Sequence, residues 1–439
     1  MTQPRILSSC FVDVRSMDEN DRALVQFTAL AHGLFHTYEL SIPLFVGLWM
    51  AEFDVSAAVI GAVVSVGYGV IGVGAPVSGV LSDRLDARRL ISGAVVGMGI
   101  GFGIVALAQG PFTLGAAVLL WGCFASVYHP AGLSLISRTA DARGTVFAYH
   151  GVGGNVGTAF GPLLTALLLM FVDWRLAAGV LSVVAVAVGV AGTQIEFDVG
   201  GETDGTAAEG GESGNGTDEP DPVGDDSDET SVSIAAELRQ MATSSRALFG
   251  TAFTVAFVAV LLYGVYYRGL LTFLPDVLAE SPALAPVELL GQTVQPSQYV
   301  YTALLTVGIG GQYVGGRLTD RVPSRTAFLG FFAALAVLAL SFPIVREAGT
   351  VPLVGICLLF GFFVYGTAPI YQVVVSEEAP DDVQGLSYGF TYLAMFGVGA
   401  LGASLAGFVL TNATSAVLFS VLGGVAGLGA LTVVALRRV

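Results

Sequence analysis

Lysine is absent from this chain: all 18 basic residues among its 439 are arginine. Charge of either sign is scarce, at 12% of residues, where an ordinary soluble domain carries about 25%. Cysteine is limited to Cys10, Cys123 and Cys357, scattered and with two of them inside apolar runs, which excludes a disulfide framework or a cysteine metal motif. A basic surface is lacking as well. The net charge of -16 argues against a nucleic-acid partner. No short apolar stretch with a cleavage site opens the chain, so a removable signal is not expected. Acidic loops without lysine point to a salt-adapted, halophilic source, because excess surface carboxylate keeps a protein soluble at high ionic strength, although genomic base composition alone would also favour arginine over lysine.

What the chain has in abundance is apolar length. It is 54% hydrophobic, with a mean hydropathy of +0.76. Twelve apolar segments stand out near 24–50, 56–80, 90–109, 112–136, 145–171, 174–195, 247–278, 298–319, 326–345, 350–375, 385–411 and 415–436. A membrane-spanning helix needs roughly 20 apolar residues, and a β-barrel would give shorter alternating stretches. The expectation is an all-α integral membrane protein with twelve transmembrane helices in two pseudo-symmetric six-helix bundles.

Its parts would be a cytoplasmic N-terminal segment (1–23), a first bundle (24–195), an acidic cytoplasmic linker (196–246), a second bundle (247–436) and a short tail (437–439). Residues 199–232 are mostly Gly, Asp, Glu, Thr and Ser, a composition that cannot bury a core. Residues 234–241 could follow as a short surface helix. In the twelve-span layout fifteen arginines fall on one side, and Arg175 and Arg346 on the other. By the positive-inside rule both termini are cytoplasmic, in an inner or cytoplasmic membrane.

One charged motif is written twice. Gly79-Val-Leu-Ser-Asp83-Arg84, with Arg88 and Arg89 close behind, returns 237 residues later as Gly316-Arg317-Leu-Thr-Asp320-Arg321, followed by Arg325. Each copy follows the second apolar run of its half, as an internal duplication would place it. A carboxylate here can receive arginine side chains or cap a neighbouring helix, forming a tie that holds the bundles together in one state and loosens in another. Gly79 and Gly316 would admit a neighbouring backbone. The plain alternative is topology alone, since arginine-rich loops are common in membrane proteins. The gating set is therefore Gly79, Asp83, Arg84, Arg88, Gly316, Asp320, Arg321 and Arg325.

The halves align further, Pro43 with Pro275 and His129-Pro130 with Ala368-Pro369, but their charges differ. All four histidines, His32, His36, His129 and His150, lie in the first half with Glu39, and Arg268 alone among the arginines lies deep in an apolar run. Ionisable groups inside a membrane are costly, so they face protein or water and function is the default reading. His32 and His36 are i,i+4 and share a helix face with Glu39. Glu39 and His36 suit proton coupling. Arg268 either complements Glu39 across a cavity, contacts an anionic solute, or forms a structural pair with Glu39 that closes the outer face. His32 serves equally well as a structural histidine. The histidines are spread across three of the expected helices, which argues against a metal site. Gly153, Gly157 and Gly161 at i,i+4 permit a close helix crossing, beside His150 and Asn155. Tyr267 belongs to a tyrosine-rich second half whose members divide between interface anchors and cavity lining.

The layout resembles the major facilitator superfamily, and the duplicated motif looks like its mark between the second and third helices. Within it, Tyr128-His129-Pro130, Gly153-Gly154-Asn155-Val-Gly157, Gly161-Pro162-Leu163-Leu164 and Gly269-Leu-Leu-Thr-Phe273-Leu-Pro275 resemble the fosmidomycin-resistance-protein family. That resemblance implies a secondary carrier exporting a drug-like or organic anionic compound in exchange for protons, and it raises the weight of His129, Asn155 and Arg268. Two departures stand out: Ala131 replaces a common acidic residue, and the second motif lacks a closing Gly-Arg-Arg.

The expected partners are thus an organic small molecule, protons and membrane lipid, in a chain acting as a monomer without cofactor or bound metal. An organic-anion uniporter or proton-coupled importer is the nearest alternative. A receptor or scaffold on the same fold would need neither a charged cavity nor both motifs. No nucleophile–base set suggests an enzyme.

Overall fold

The computed structural model describes residues 17–198, 248–289, 291–379 and 384–438, without the side chains of Asp83 and residues 384–386. Nearly all of the acidic linker and the expected surface helix at 234–241 lie outside the described residues.

Six helices fill the first half: α1 (Glu19–Phe53), α2 (Ala57–Arg84), α3 (Ala87–Ala106), α4 (Pro111–Thr139), α5 (Arg143–Phe171) and α6 (Trp174–Gly192). Short polar residues set their ends. The Asp18 carboxylate accepts from the amides of Asn20 and Asp21 to start α1, and Asp173 does the same for Arg175 and Leu176 at α6. Asp54, at φ 49°, takes the left-handed conformation that ends α1. The Asp21 carboxylate receives the amides of Asp141 and Ala142, fastening the α4–α5 loop to the base of α1.

The second half holds α7 (Thr251–Leu271), the short α8 (Leu274–Ala279), an antiparallel hairpin of β1 (Val287–Leu289) and β2 (Gln292–Val294), then α9 (Pro296–Thr319), α10 (Ser324–Glu347) and α11 (Thr350–Glu378). After them come α12 (Gln384–Tyr392), a π-helical turn (Leu393–Val398), α13 (Leu401–Asn412) and α14 (Ser415–Leu436). The expected single segment at 247–278 is two helices, broken at Thr272–Phe273 ahead of Pro275, whose ring cannot continue α7.

Among the described residues, ten helices are long and apolar enough to cross a membrane. Of the twelve expected, α1 and α9 fall outside that group on composition. Their lengths of 35 and 24 residues suffice, but α1 carries Glu19, Asp21, Arg22, Glu39 and Glu52, and α9 carries Ser297, Gln298, Gln312 and several glycines. Both pack against the spans, α1 on α5 and α9 on α11. Side chains such as Val73, Val183, Ile344 and Leu431 stand exposed around the outside, as a lipid-facing surface requires.

The α1–α5 crossing is as close as the glycine spacing predicts. A Cβ at Gly157 would lie 2.0 Å from the Gly33 carbonyl oxygen, and one at Gly153 only 2.4 Å from that of Ala29. The halves meet chiefly through α2 with the π turn and α13, and through α5 with α9. Thr411 Oγ1 accepts the Ala58 amide at 2.8 Å, Ser65 donates to the Ala400 carbonyl at 2.7 Å, and Tyr301 donates to that of Leu40 at 3.2 Å. These contacts sit in the part of the molecule away from the loops bearing Arg84, Arg88 and Arg325.

Candidate functional site

Four helices converge on a buried polar layer. From α1 come His32, His36 and Glu39, one turn apart on one face. His129 comes from α4 just before Pro130, whose missing amide leaves the Ser126 carbonyl without its helical donor. His150 comes from α5, and Arg268 from α7 in the other half. Glycine makes room for the rings: a Cβ at Gly154 would strike the His32 imidazole at 2.5 Å.

Glu39 is the hub. Its carboxylate accepts from the Arg268 guanidinium through one oxygen and meets His36 Nδ1 at 2.7 Å through the other. Both members of the Glu39–Arg268 pair are almost wholly buried, at 1% and 2% side-chain exposure, so the pair is held in a low-dielectric setting and crosses from one half to the other. Removing one partner of such a pair costs about 3–5 kcal/mol, because the other charge is left uncompensated. The Tyr68 ring lies 3.7 Å from the guanidinium carbon, with Tyr267 at 5.1 Å and Phe396 at 5.3 Å. Aromatic faces attract the cation and exclude water around it. Tyr68 also donates its hydroxyl to the Glu39 backbone carbonyl at 2.7 Å, fixing the α1 backbone at the carboxylate.

A chain of imidazoles leads away from Glu39. His36 Nε2 is 3.1 Å from His32 Nε2, and His32 Nδ1 is 2.8 Å from the His150 carbonyl oxygen. The His32 and His150 rings stack at 4.0 Å, and Tyr128 Oη lies 3.4 Å from His150 Nδ1. His129 packs edge-on to His32 and Phe35, with the Tyr392 ring 5.5 Å away. The ligand nitrogens of His32, His36 and His129 all lie within 4.8 Å of one another. The spread across helices, the ground for setting a metal site aside, therefore does not separate them in space.

The structure thus brings together seven of the eight interior candidates. Tyr267 joins through its ring and through a 3.2 Å contact between its hydroxyl and that of Tyr365. Asn155 stays outside the cluster, half-buried on α5, with no hydrogen bond among the described residues. Tyr263 and Tyr266 are anchors, donating to the carbonyls of Val364 and Leu335. Sequence reasoning missed Tyr68, although it is the one aromatic residue in the aliphatic α2. It also missed Asp276 on α8, whose Oδ1 lies where a Cβ on Gly47 would stand and whose Oδ2 has no hydrogen-bond partner.

The duplicated motif is differently disposed from the tie expected across the halves. Arg88 donates to the Ile195 carbonyl and lies over Phe197, both within the first half. Arg325 pairs with Glu378 at 2.6 Å and donates to the Leu436 carbonyl, within the second. Arg84, Asp320 and Arg321 are exposed, and the Asp83 side chain is outside the described residues. A Cβ at Gly79 would meet nothing within 4 Å and one at Gly316 only Pro369, at 3.7 Å, so among the described residues neither is closely approached by another backbone. The close backbone approaches between halves lie elsewhere, as at Gly61 with Ala403 and Gly72 with Gly397.

The family described as the Major Facilitator Superfamily matches residues 28–403. The "Uncharacterized MFS-type transporter YfnC" of Bacillus subtilis (strain 168) is 24% identical over 318 residues, covering 71% of this chain and 68% of that protein. The "Puromycin resistance protein pur8" of Streptomyces alboniger is 33% identical over 100 residues, 22% of this chain and 20% of that one. The crystal structure of nucleoside transporter NupG superposes with a TM-score of 0.71 at 14% identity, over 96% of this chain and 100% of that one, a likeness of fold.

Proposed function

Because the chain belongs to the Major Facilitator Superfamily, and is thus a secondary transporter working by alternating access rather than an enzyme, we propose that it exports a drug-like organic molecule in exchange for protons. One observation carries this reading: the buried Glu39 carboxylate is shared between a titratable imidazole and a fixed guanidinium from the opposite half. Arginine stays charged at every working pH, so the group that changes state is Glu39 with its histidines. A proton passed from His36 to Glu39 neutralises the carboxylate and weakens the ion pair that joins the halves at this depth. A neutral or cationic solute seated against the same carboxylate and imidazoles competes with that proton, which is the mutual exclusion an exchanger needs. The resemblance to the fosmidomycin-resistance family and the partial likeness to a puromycin resistance protein favour a drug-like cargo.

The rest of the proposal follows the arginines. We take the protein as a monomer of two six-helix bundles, α1–α6 and the second half with α9 as a span, and both termini in the cytoplasm. The contacts of Ala58, Ser65 and Tyr301 then lie on the outer side, and Gly79, Asp83, Gly316 and Asp320 on the inner side, where the halves would close in the alternate state.

The Glu39–Arg268 contact also favours a second reading. An organic anion gains Arg268 only after Glu39 is protonated, so anion and proton would bind together, as in a symporter. The test is purified protein in liposomes with an imposed pH gradient and a panel of solutes that includes puromycin and organic anions. Exchange gives proton movement opposite to solute, and symport gives movement with it. Glu39→Gln, compared at a temperature where its melting profile shows it folded, abolishes either. Solute transport indifferent to the pH gradient, or unaltered in Glu39→Gln, sinks proton coupling through this residue.

A further inference from the structure

The two imidazoles of α1 pose a problem of proton arithmetic. His36 Nδ1 faces the Glu39 carboxylate at 2.7 Å, and His32 Nδ1 faces the His150 carbonyl oxygen at 2.8 Å. An ionised carboxylate and a carbonyl only accept, so each Nδ1 must carry the hydrogen. Both Nε2 atoms then present lone pairs, and they point at one another across 3.1 Å. Two acceptors at that distance repel unless a cation stands between or beside them. Such a cation is either an extra proton or a metal ion.

The third histidine decides which of these the site is built to accept besides the proton. The nitrogens of His32, His36 and His129 lie within 4.8 Å of one another, and His129 makes ring contacts but no hydrogen bond among the described residues. Two histidines at i,i+4 on one helix face form a chelating pair, and a third from another helix completes a three-nitrogen set. The outer partners are also in place. A ligating histidine characteristically donates its second nitrogen to a carboxylate or a backbone carbonyl, which fixes the tautomer and raises basicity. Glu39 does this for His36, and the His150 carbonyl does it for His32.

We propose that His32, His36 and His129 form a binding site for one divalent transition-metal ion of the zinc type. Imidazole nitrogen favours Zn2+, Co2+, Ni2+ or Cu2+ over the oxygen-seeking Mg2+ and Ca2+. Nitrogens bound to zinc at about 2.0–2.1 Å stand closer together than 4.8 Å, so binding draws His129 toward the α1 pair. The fourth position is left for water or a solute atom. Other groups facing the site are His150 from α5, Tyr128 from α4, Tyr392 from the second half, and Arg268 beyond Glu39. Among these the guanidinium opposes a second positive charge, and Glu39 offsets it.

The experiment uses full-length protein purified without a polyhistidine tag, stripped with chelator and titrated with ZnCl2 by calorimetry, then with CoCl2 by visible absorption. Wild type is expected to bind about one ion per chain, with the d–d bands of tetrahedral Co2+ and no sulfur charge-transfer band. Affinity falls as pH is lowered, because protons take the same lone pairs. Removing a ligand in His36→Ala or His129→Ala weakens binding at least as much as losing an outer partner does, about 10- to 100-fold. His36→Gln guards against a misfolded alanine variant. Zn2+ raises the melting temperature of wild type but of neither variant. Equal Zn2+ affinity in wild type and folded His36→Gln and His129→Ala protein overturns the site, as does wild type that binds Mg2+ as well as Zn2+. Proton-coupled transport is read separately in liposomes, so either idea can fail alone.

Discussion

The two halves share a helical plan and divide the chemistry unequally. The first half places four imidazoles and a carboxylate in its interior, all side chains of a kind that can gain or lose a proton. The second half answers with Arg268, whose charge is fixed, and with tyrosines such as Tyr263 and Tyr266 whose hydroxyls are spent on backbone carbonyls. One half therefore carries the variable charge and the other the constant reference against which it acts. A duplicated fold supplies the symmetry of movement, and divergence inside it supplies a direction for the chemistry.

The sharpest way to break this comparison is to remove the reference. Arg268→Ala leaves the Glu39 carboxylate buried beside only His36 and is expected to cost about 3–5 kcal/mol, read as a large fall in melting temperature in detergent. The double variant Glu39→Gln with Arg268→Gln should recover more than half of that loss, since no uncompensated charge remains. A double variant as unstable as Arg268→Ala would show that the guanidinium matters for packing rather than for pairing.

Next in size is the α1–α5 seam that aligns the variable half. Gly157→Ala drives a methyl group to 2.0 Å from the Gly33 oxygen and should destabilise by about 1–3 kcal/mol. Gly151→Ala, on the same helix but with open space around its Cβ, should be neutral or stabilising by up to about 1 kcal/mol. Thermal unfolding of the pair side by side checks this, and equal effects would contradict the close crossing.

A smaller effect is expected at the point where the halves touch through aromatic contact. Tyr68→Phe keeps the ring under Arg268 but loses the hydrogen bond to the Glu39 carbonyl, about 0.5–1.5 kcal/mol. Tyr68→Leu, which also removes the ring, should lower stability further. Smallest of all, Glu52→Gln on the charged rim should change stability by less than about 1 kcal/mol, because its pair with Arg175 is open to solvent, at 44% and 36% exposure.

Much of the helical plan was legible in the apolar runs, because lipid exposure forces long unbroken stretches of apolar residues. Polar composition obscures α1 and α9 by the same measure. Glu39 and Arg268 could be singled out because each is an isolated charge in such a stretch, and the Gly153/Gly157/Gly161 spacing announced a close crossing. What sequence could not give is the meeting of His129 with His32 and His36, which depends on how α4 packs beside α1. The ring of Tyr68 was hidden for the same reason. A Cβ at Gly79 would meet no described neighbour within 4 Å, so the repeated glycine makes no close crossing in this conformation. The break after α7 follows locally from Pro275, whereas the π turn lies where the second half packs on α2 and α7.

That π turn has a consequence of its own. An added residue within one turn rotates everything beyond it by about 100° around the helix axis. Before the turn, Tyr392 faces His129; within and after it, Gly397 lies on Gly72 and Gly399 on Gly264. A regular helix of the same length could not hold both alignments. The span therefore carries two rotational phases, one set by the histidine layer and one by the seam with α2 and α7, with Leu393–Val398 absorbing the difference. Winding the same residues as regular α-turns would leave one end out of phase, turning either the tyrosine from the imidazole or the glycine from its neighbour, whereas deleting one residue would restore a regular helix with both alignments kept.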